Sequence, residues 1–353
     1  VASPSADLAG RVLAGRYDIL RRLHDESVGT VWAARDREGR ALVQVKVVTQ
    51  LAGQPDDPRF VRFAREMKAS FLVTHRNTVE VVDFGEEPGP NGVRVRYLVL
   101  EWLVAHPLSD ELSKGPVAWE RAARIVAQVA GALGAAHQEG IVHRALAPER
   151  VLLLDNCDGD FVKVADFGLA RLEGDVGGQV TAAGARLGDL RYAAPEYVAT
   201  GEFTARSDLY ALGVLAYHLL CGRPPFEGSM EELFDRHQHG VAARVRSLRP
   251  EVPTWLDELV AALLAKAPGE RPTVYKLVQR IEDELGPLHI PEPWPLDDDG
   301  RPVRPAAGVV TGPPPPAYSV GAIVGAALFG ALAVVGAVTV VSGLLAMVWV
   351  LVR

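Results

Sequence analysis

Cysteine is nearly absent from this chain. Cys157 and Cys221 are the only two in 353 residues, and neither sits in a Cys-x-x-Cys or Cys/His cluster. That excludes a disulfide framework and a structural zinc site, and it reads as two reduced, buried thiols of a cytosolic domain. An excess of positive charge is also missing. The formal net charge is -7, which argues against nucleic acid as a partner, because such partners need a concentrated basic face. Residues 1–16 carry Asp7, Arg11 and Arg16 and no long apolar core, so no secretory signal is expected there. No internal repeat is visible.

Apolar sequence is abundant, at 48% of residues, and it is unevenly spread. From Val320 to Val352 there are 33 consecutive residues without a charge. A bilayer-crossing helix needs about 20, so a single transmembrane pass is expected over 320–352. Two shorter passes breaking near Ser342-Gly343 are the alternative. Upstream, Gly286 to Ser319 holds ten prolines, including Pro313 to Pro316, and the acidic run Asp297 to Asp299. Such a composition predicts an extended, semi-rigid juxtamembrane linker over 286–319.

The remainder divides in two. In the first part Val43, Val45 and Val47 alternate with Gln44 and Lys46, a period of two that predicts a strand with Lys46 opposite the valines. Tyr97 to Leu100 is a second strand. Between them Phe60, Phe63, Met67 and Phe71 have helical spacing within 59–72. After Leu103 the pattern turns helical. Ala122, Ile125, Val129, Leu133 and Ala136 form one stripe, and Gly140 supplies a stop. A small β-rich lobe followed by a larger helical lobe is an α+β layout, with a ligand cleft expected between the lobes. The boundaries are an N-terminal leader over 1–16, the first lobe over 17–104 and the second over 105–285.

A series of ordered motifs lies on this layout. Val45-Lys46-Val47 is followed by Glu66 in the helical stretch. Then come His143-Arg144-Ala145-Leu146, Asp166-Phe167-Gly168, Ala194-Pro195-Glu196, the run Ser207 to Gly213 with Asp208, and Arg271. In this order and spacing, over about 17–285, the chain resembles the protein kinase family, in its bacterial Ser/Thr form. The resemblance implies that Lys46 meets nucleotide phosphates and pairs with Glu66. It implies that Asp166 binds magnesium, and that Arg271 pairs with Glu196. Adenine would meet backbone around Glu101 and Leu103. A second Asp-Phe-Gly, at Asp83-Phe84-Gly85, precedes the loop motif by some 60 residues and reads as a strand end and a turn.

The same resemblance shows what is missing. Where the family carries the aspartate that takes the substrate hydroxyl's proton, this chain has Ala145. Ala147 replaces a lysine beside the transferred phosphoryl group. Arg150 replaces the asparagine that holds a second metal, and a guanidinium cannot ligate one. Asp189 stands where the activation segment normally has threonine. Of the three glycines expected between Leu23 and Val31, at His24, Glu26 and Gly29, only Gly29 remains. Glu26 would bring negative charge toward the phosphates. At ~4 Å and an effective dielectric near 20, like charges repel by about 4 kcal/mol.

The expected protein is therefore a membrane-tethered pseudokinase with its kinase-like domain on the cytoplasmic side. That orientation follows from the fold and the cysteine usage. Its role would be signalling by binding a protein partner, an active kinase or a membrane assembly. It would bind ATP or ADP weakly, with magnesium dependence open, because Asp166 has Arg150 as an alternative partner. Thr181 is the one Ser or Thr between Asp166 and Gly188, and so the candidate for phosphorylation there. The alternative is an atypical active Ser/Thr kinase or nucleotidyl transferase, with Asp189 as substitute base.

Overall fold

A computed structural model describes residues 8–26, 29–50, 60, 63–64, 67, 70–89, 93–167 and 189–304. Six antiparallel strands make the first lobe: β1 (Val12–Leu13), β2 (Tyr17–Asp25), β3 (Thr30–Asp36), β4 (Leu42–Gln50), β5 (Val81–Pro88) and β6 (Arg94–Glu101), in the order β1-β2-β3-β4-β6-β5. Both faces of β4 are covered. Val43, Val45 and Val47 pack with Tyr17, Ile19, Trp32 and Val99 on one side. Val48 joins Phe60, Phe63, Met67 and Leu98 on the other. Burying a valine fully contributes about 1.5–3 kcal/mol, so the alternation fixes the register of β4 and turns Lys46 away from the valines, toward the second face.

Three residues, Trp102 to Val104, join the lobes. They lead into β7 (Ala105–Pro107), which pairs with β8 (Val151–Leu154) and through it with β9 (Val162–Val164). The second lobe is built around α2 (Trp119–Gln138), after the short α1 (Leu108–Leu112), and around α4 (Ala205–Cys221). The α2 stripe from Ala122 to Ala136 is buried as its spacing predicts. α4 is buried on nearly every side, which suits a helix at the centre of a lobe. Its start is fixed by a reciprocal capping box between Thr204 and Ser207, and Gly222 ends it at φ 72°. Around it lie α3 (Pro195–Thr200), α5 (Met230–Gln238), α6 (Val245–Leu248), α7 (Thr254–Leu263) and α8 (Val274–Leu285).

Several expectations change. The first lobe begins before residue 17: Val12 and Leu13 pair with β2, and Leu8 and Leu13 are buried. Asp83-Phe84-Gly85 lies inside β5, not at a strand end and a turn. Its pairing with β6 shifts register between Val81 and Asp83, and an added Cβ on Gly85 would collide with the Tyr97 ring across the strands. Phe71 is helical but exposed, edge-on to Phe84 at 5.2 Å. Both cysteines are free, and both are partly rather than fully buried. Residues 286–304 form no helix, and they pack along the domain instead of standing away from it. The apolar stretch 320–352 lies outside the described residues. Among the described residues no helix is long and apolar enough to cross a membrane.

Candidate functional site

The loop at 143–150 is anchored from below by Asp208. α4 places this carboxylate, 1% exposed, where Oδ2 accepts from His143 N–H at 2.8 Å and Oδ1 from Arg144 N–H at 2.9 Å. His137 Nε2, from the end of α2, lies 2.8 Å from Oδ2. Burial pushes the Asp208 carboxyl up, but the His137 hydrogen bond, the neighbouring imidazoles and the Arg144 N–H outweigh it and hold it below the usual range. This grip lets Arg144 keep a φ of 66°, a conformation that persists in an L-residue only where its surroundings over-determine it. Burial lowers the pKa of His143, whose ring lies edge-on to Phe167 at 4.9 Å. The second anchor is Arg271, with a fully buried side chain. Its two terminal nitrogens donate to the two Glu196 oxygens at 2.7 and 2.8 Å, a bidentate pair. The pairing expected of Arg271 and Glu196 is thus present.

Above these anchors the loop has no acid at 145, and its one carboxylate, Glu149, is exposed. Ala145 is 4% exposed and Ala147 1% exposed, so neither leaves a polar group in the cleft. Arg150 fills the space electrostatically. Its Nη1 donates to the Ala145 carbonyl at 2.5 Å and its Nε lies 3.4 Å from Asp166 Oδ2. Lys46 Nζ approaches the other Asp166 oxygen at 3.8 Å. Burial raises the Asp166 carboxyl, and the charges of Lys46 and Arg150 more than reverse it, so it stays ionised. Asp166 also sits at φ 62°. One carboxylate faces two cations, and the second ligand position is itself a cation. Among the described residues no group of three or more His, Cys, Asp or Glu is placed to hold a metal.

Lys46 has a second carboxylate. Glu26, in the turn between β2 and β3, puts Oε2 2.6 Å from Lys46 Nζ, and its Oε1 lies 3.4 Å from His24 Nε2. Lys46 is buried and Glu26 partly so. Gly29 closes this turn at φ 92°, accepting from Glu26 N–H at 3.0 Å. An added Cβ there would strike the Val47 carbonyl. The sequence made Glu26 a repulsive charge facing phosphates. The structure makes it the ligand of the lysine that phosphates would use, a contact that needs tertiary proximity and has no signature in spacing. Glu66 and Gly168 lie outside the described residues, as does Thr181.

At the hinge, the Glu101 side chain accepts from Lys163 Nζ at 2.7 Å and from Glu80 N–H at 2.8 Å. Its carboxylate thus ties β6 to β9, and Leu103 follows in the connecting stretch. Asp189 lines one small cleft with Arg144, Ala145, Tyr192 and Phe203. Its side chain accepts from Arg191 N–H at 2.9 Å and pairs with the Arg191 guanidinium at 2.7 Å. A carboxylate so engaged caps a helical turn and is poorly poised as a base. His137 and Lys163 were the residues that sequence reasoning missed, and neither stands in a family motif.

Comparison with known proteins agrees with this architecture. The family model described as protein kinase domain matches residues 17–281, and the chain belongs to the protein kinase family. Serine/threonine-protein kinase PknB of Mycolicibacterium smegmatis is 35% identical over 281 residues, covering 78% of this chain and 43% of the relative. Serine/threonine-protein kinase PrkC of Bacillus subtilis is 30% identical, covering 79% of this chain and 41% of the relative. The chain thus spans less than half the length of these relatives. The crystal structure of the Mycobacterium tuberculosis PknI kinase domain superposes with a TM-score of 0.57 at 25% identity, over 80% of this chain and 99% of that one.

Proposed function

We propose that this member of the kinase family is a pseudokinase that signals by binding a protein partner, either an active kinase or a membrane assembly. The observation that carries the reading is the pair Ala145 and Arg150. A methyl group stands where the family places its proton acceptor, and the guanidinium beside it hydrogen-bonds the Ala145 carbonyl and faces Asp166. In-line phosphoryl transfer needs a positioned hydroxyl and neutralised phosphate charge. Here the positioning acid is replaced by alanine, and the metal-binding position by a cation. Glu26 on Lys46 supports weak nucleotide binding, since ATP or ADP must displace that carboxylate to reach the lysine. The uncharged stretch 320–352 supports a single-pass membrane tether with the kinase-like domain on the cytoplasmic face.

A second reading, an ATP-using Ser/Thr kinase of altered chemistry, is favoured by the relatives, which carry the name serine/threonine-protein kinase. One assay separates the two. The full chain is incubated with γ-labelled ATP, magnesium or manganese, and a general protein substrate, beside its Asp166→Ala variant. No label above the variant is expected. Label that Asp166→Ala abolishes would establish the kinase reading.

A further inference from the structure

The Pro-rich stretch after α8 crosses from one lobe to the other. Leu288 packs against the core of the second lobe, and the Pro291 ring lies over Gly159. Trp294 N–H donates to the Asn156 carbonyl at 2.5 Å, and Asn156 Nδ2 returns a bond to the Trp294 carbonyl at 2.8 Å. Residues 295–303 then fold into a small hairpin. Leu296 bridges Pro302, Asp297 N–H donates to the Arg301 carbonyl at 2.9 Å, and Val303 N–H donates to the Pro295 carbonyl at 2.8 Å. Arg304 closes back on the second lobe, over the Trp294 ring and 3.0 Å from Asp158.

The tip of that hairpin rests on the first lobe and on the hinge. Arg35, in β3, donates to the Asp298 carbonyl at 2.7 Å and faces the Asp299 carboxylate at 3.7 Å. Gly300 is buried at φ 74°, and an added Cβ would come within 2.6 Å of Trp102 Nε1 and 2.7 Å of Leu42 Cδ1. Trp102 belongs to the hinge and Leu42 to β4, the strand that carries Lys46. The acidic run and the prolines have a structural use here. Prolines limit the freedom that a docking segment must give up, and each hydrogen bond then contributes about 1 kcal/mol against a smaller entropic loss.

We propose that residues 286–304 are an interlobe strap that clamps the hinge from outside the cleft. The strap fixes the separation of the lobes, so displacing it loosens the cleft although no strap residue touches Lys46 or Asp166. Whatever acts on the chain beyond Arg304 thereby acts on the cleft.

Hydrogen–deuterium exchange on the full chain tests it, with Gly300→Val and Arg35→Ala. Valine at 300 meets both the positive φ and the Trp102–Leu42 wall. Arg35→Ala removes a half-buried anchor and leaves the fold in place should the valine variant fail to fold. Exchange of the hinge amides, 102–104, and of β4 is expected to rise about tenfold in Gly300→Val and several-fold in Arg35→Ala. The α4 amides should keep their protection. Two results would overturn the strap: strap amides that exchange freely while the hinge and β4 stay as in the parent chain, or strap amides unchanged in both variants.

Discussion

Two groups of residues that meet at one loop of the second lobe differ in what they keep. His143, Arg144, Asp208, Glu196 and Arg271 make the contacts that anchor the loop and the helix beside it. Ala145, Ala147 and Arg150 stand on that same loop and keep none of the groups that would use it. The first group is held by ion pairs and hydrogen bonds to the buried Asp208 and Arg271, so a change there strands a charge or a donor in the interior. The second group strands nothing: Ala145 and Ala147 are methyl groups covered by their neighbours, and Arg150 faces Asp166 beside Lys46. Folding constrains the anchors whether or not the protein has chemistry to do. Only chemistry constrains the rim.

The largest effect should come from breaking the anchors. Arg271→Ala leaves Glu196 without its bidentate partner, and opens the carbonyls of Ala265 and Arg206 that the same guanidinium satisfies. A loss of about 3–5 kcal/mol is expected in urea unfolding, whereas Arg150→Lys, at a partly exposed position that keeps a cation facing Asp166, should change stability by under about 1 kcal/mol. Equal losses would erase the distinction.

Acid should attack the buried group next. Burial lowers His143, and it takes His237, hydrogen-bonded to Tyr210, down to about 4. Histidines held neutral in the fold but able to protonate once unfolded stabilise the protein above the unfolded value near 6.5. That stability is lost as pH falls toward the folded value. For His237 the loss between about pH 6.5 and 4 is on the order of 3 kcal/mol. Asp208 works in a lower window: its depressed value keeps its contribution down to the ordinary carboxylate range, and the contribution fades only below that. Denaturation midpoints at pH 7.5, 6 and 5 should therefore fall in sequence. A flat or rising series would mean that these imidazoles are charged in the fold.

The rim can be rebuilt. Ala145→Asp alone places a carboxylate beside Arg150, which should take it as an ion pair and leave the site unresponsive to magnesium. The double variant Ala145→Asp with Arg150→Asn removes that cation. It is expected to tighten ADP binding about tenfold when magnesium is added, read by calorimetry. A single variant that gains as much as the double would show that Arg150 does not fill the metal position.

The smallest change concerns Glu26. Glu26→Gln removes the negative charge facing Lys46 and should tighten ADP binding about fivefold, with a loss of stability smaller than that of Arg271→Ala because Asp166 still faces the lysine. Weaker binding would mean that the Glu26 carboxylate helps to hold the nucleotide.

Much of the fold was legible because its signals are local. The β4 alternation, the α2 stripe and the ordered motifs each follow from residue spacing. The losses at Ala145, Ala147 and Arg150 were legible for the same reason, since a motif shows its gaps. What spacing cannot carry is contact between distant segments. Glu26 reaching Lys46, His137 joining Asp208 and Gly300 seated on Trp102 all depend on how the lobes close. Residues 286–304 show this most clearly, because their composition describes an extended chain and says nothing of what it lies against.

The central claim is that the chain's own cations, Arg150 and Lys46, stand where metal and phosphate would act. Calorimetric titration of the full chain with ATP, in magnesium and then in EDTA, addresses it directly. The expected result is binding that is weak or absent and the same in both buffers. Tight binding that appears only with magnesium would contradict it.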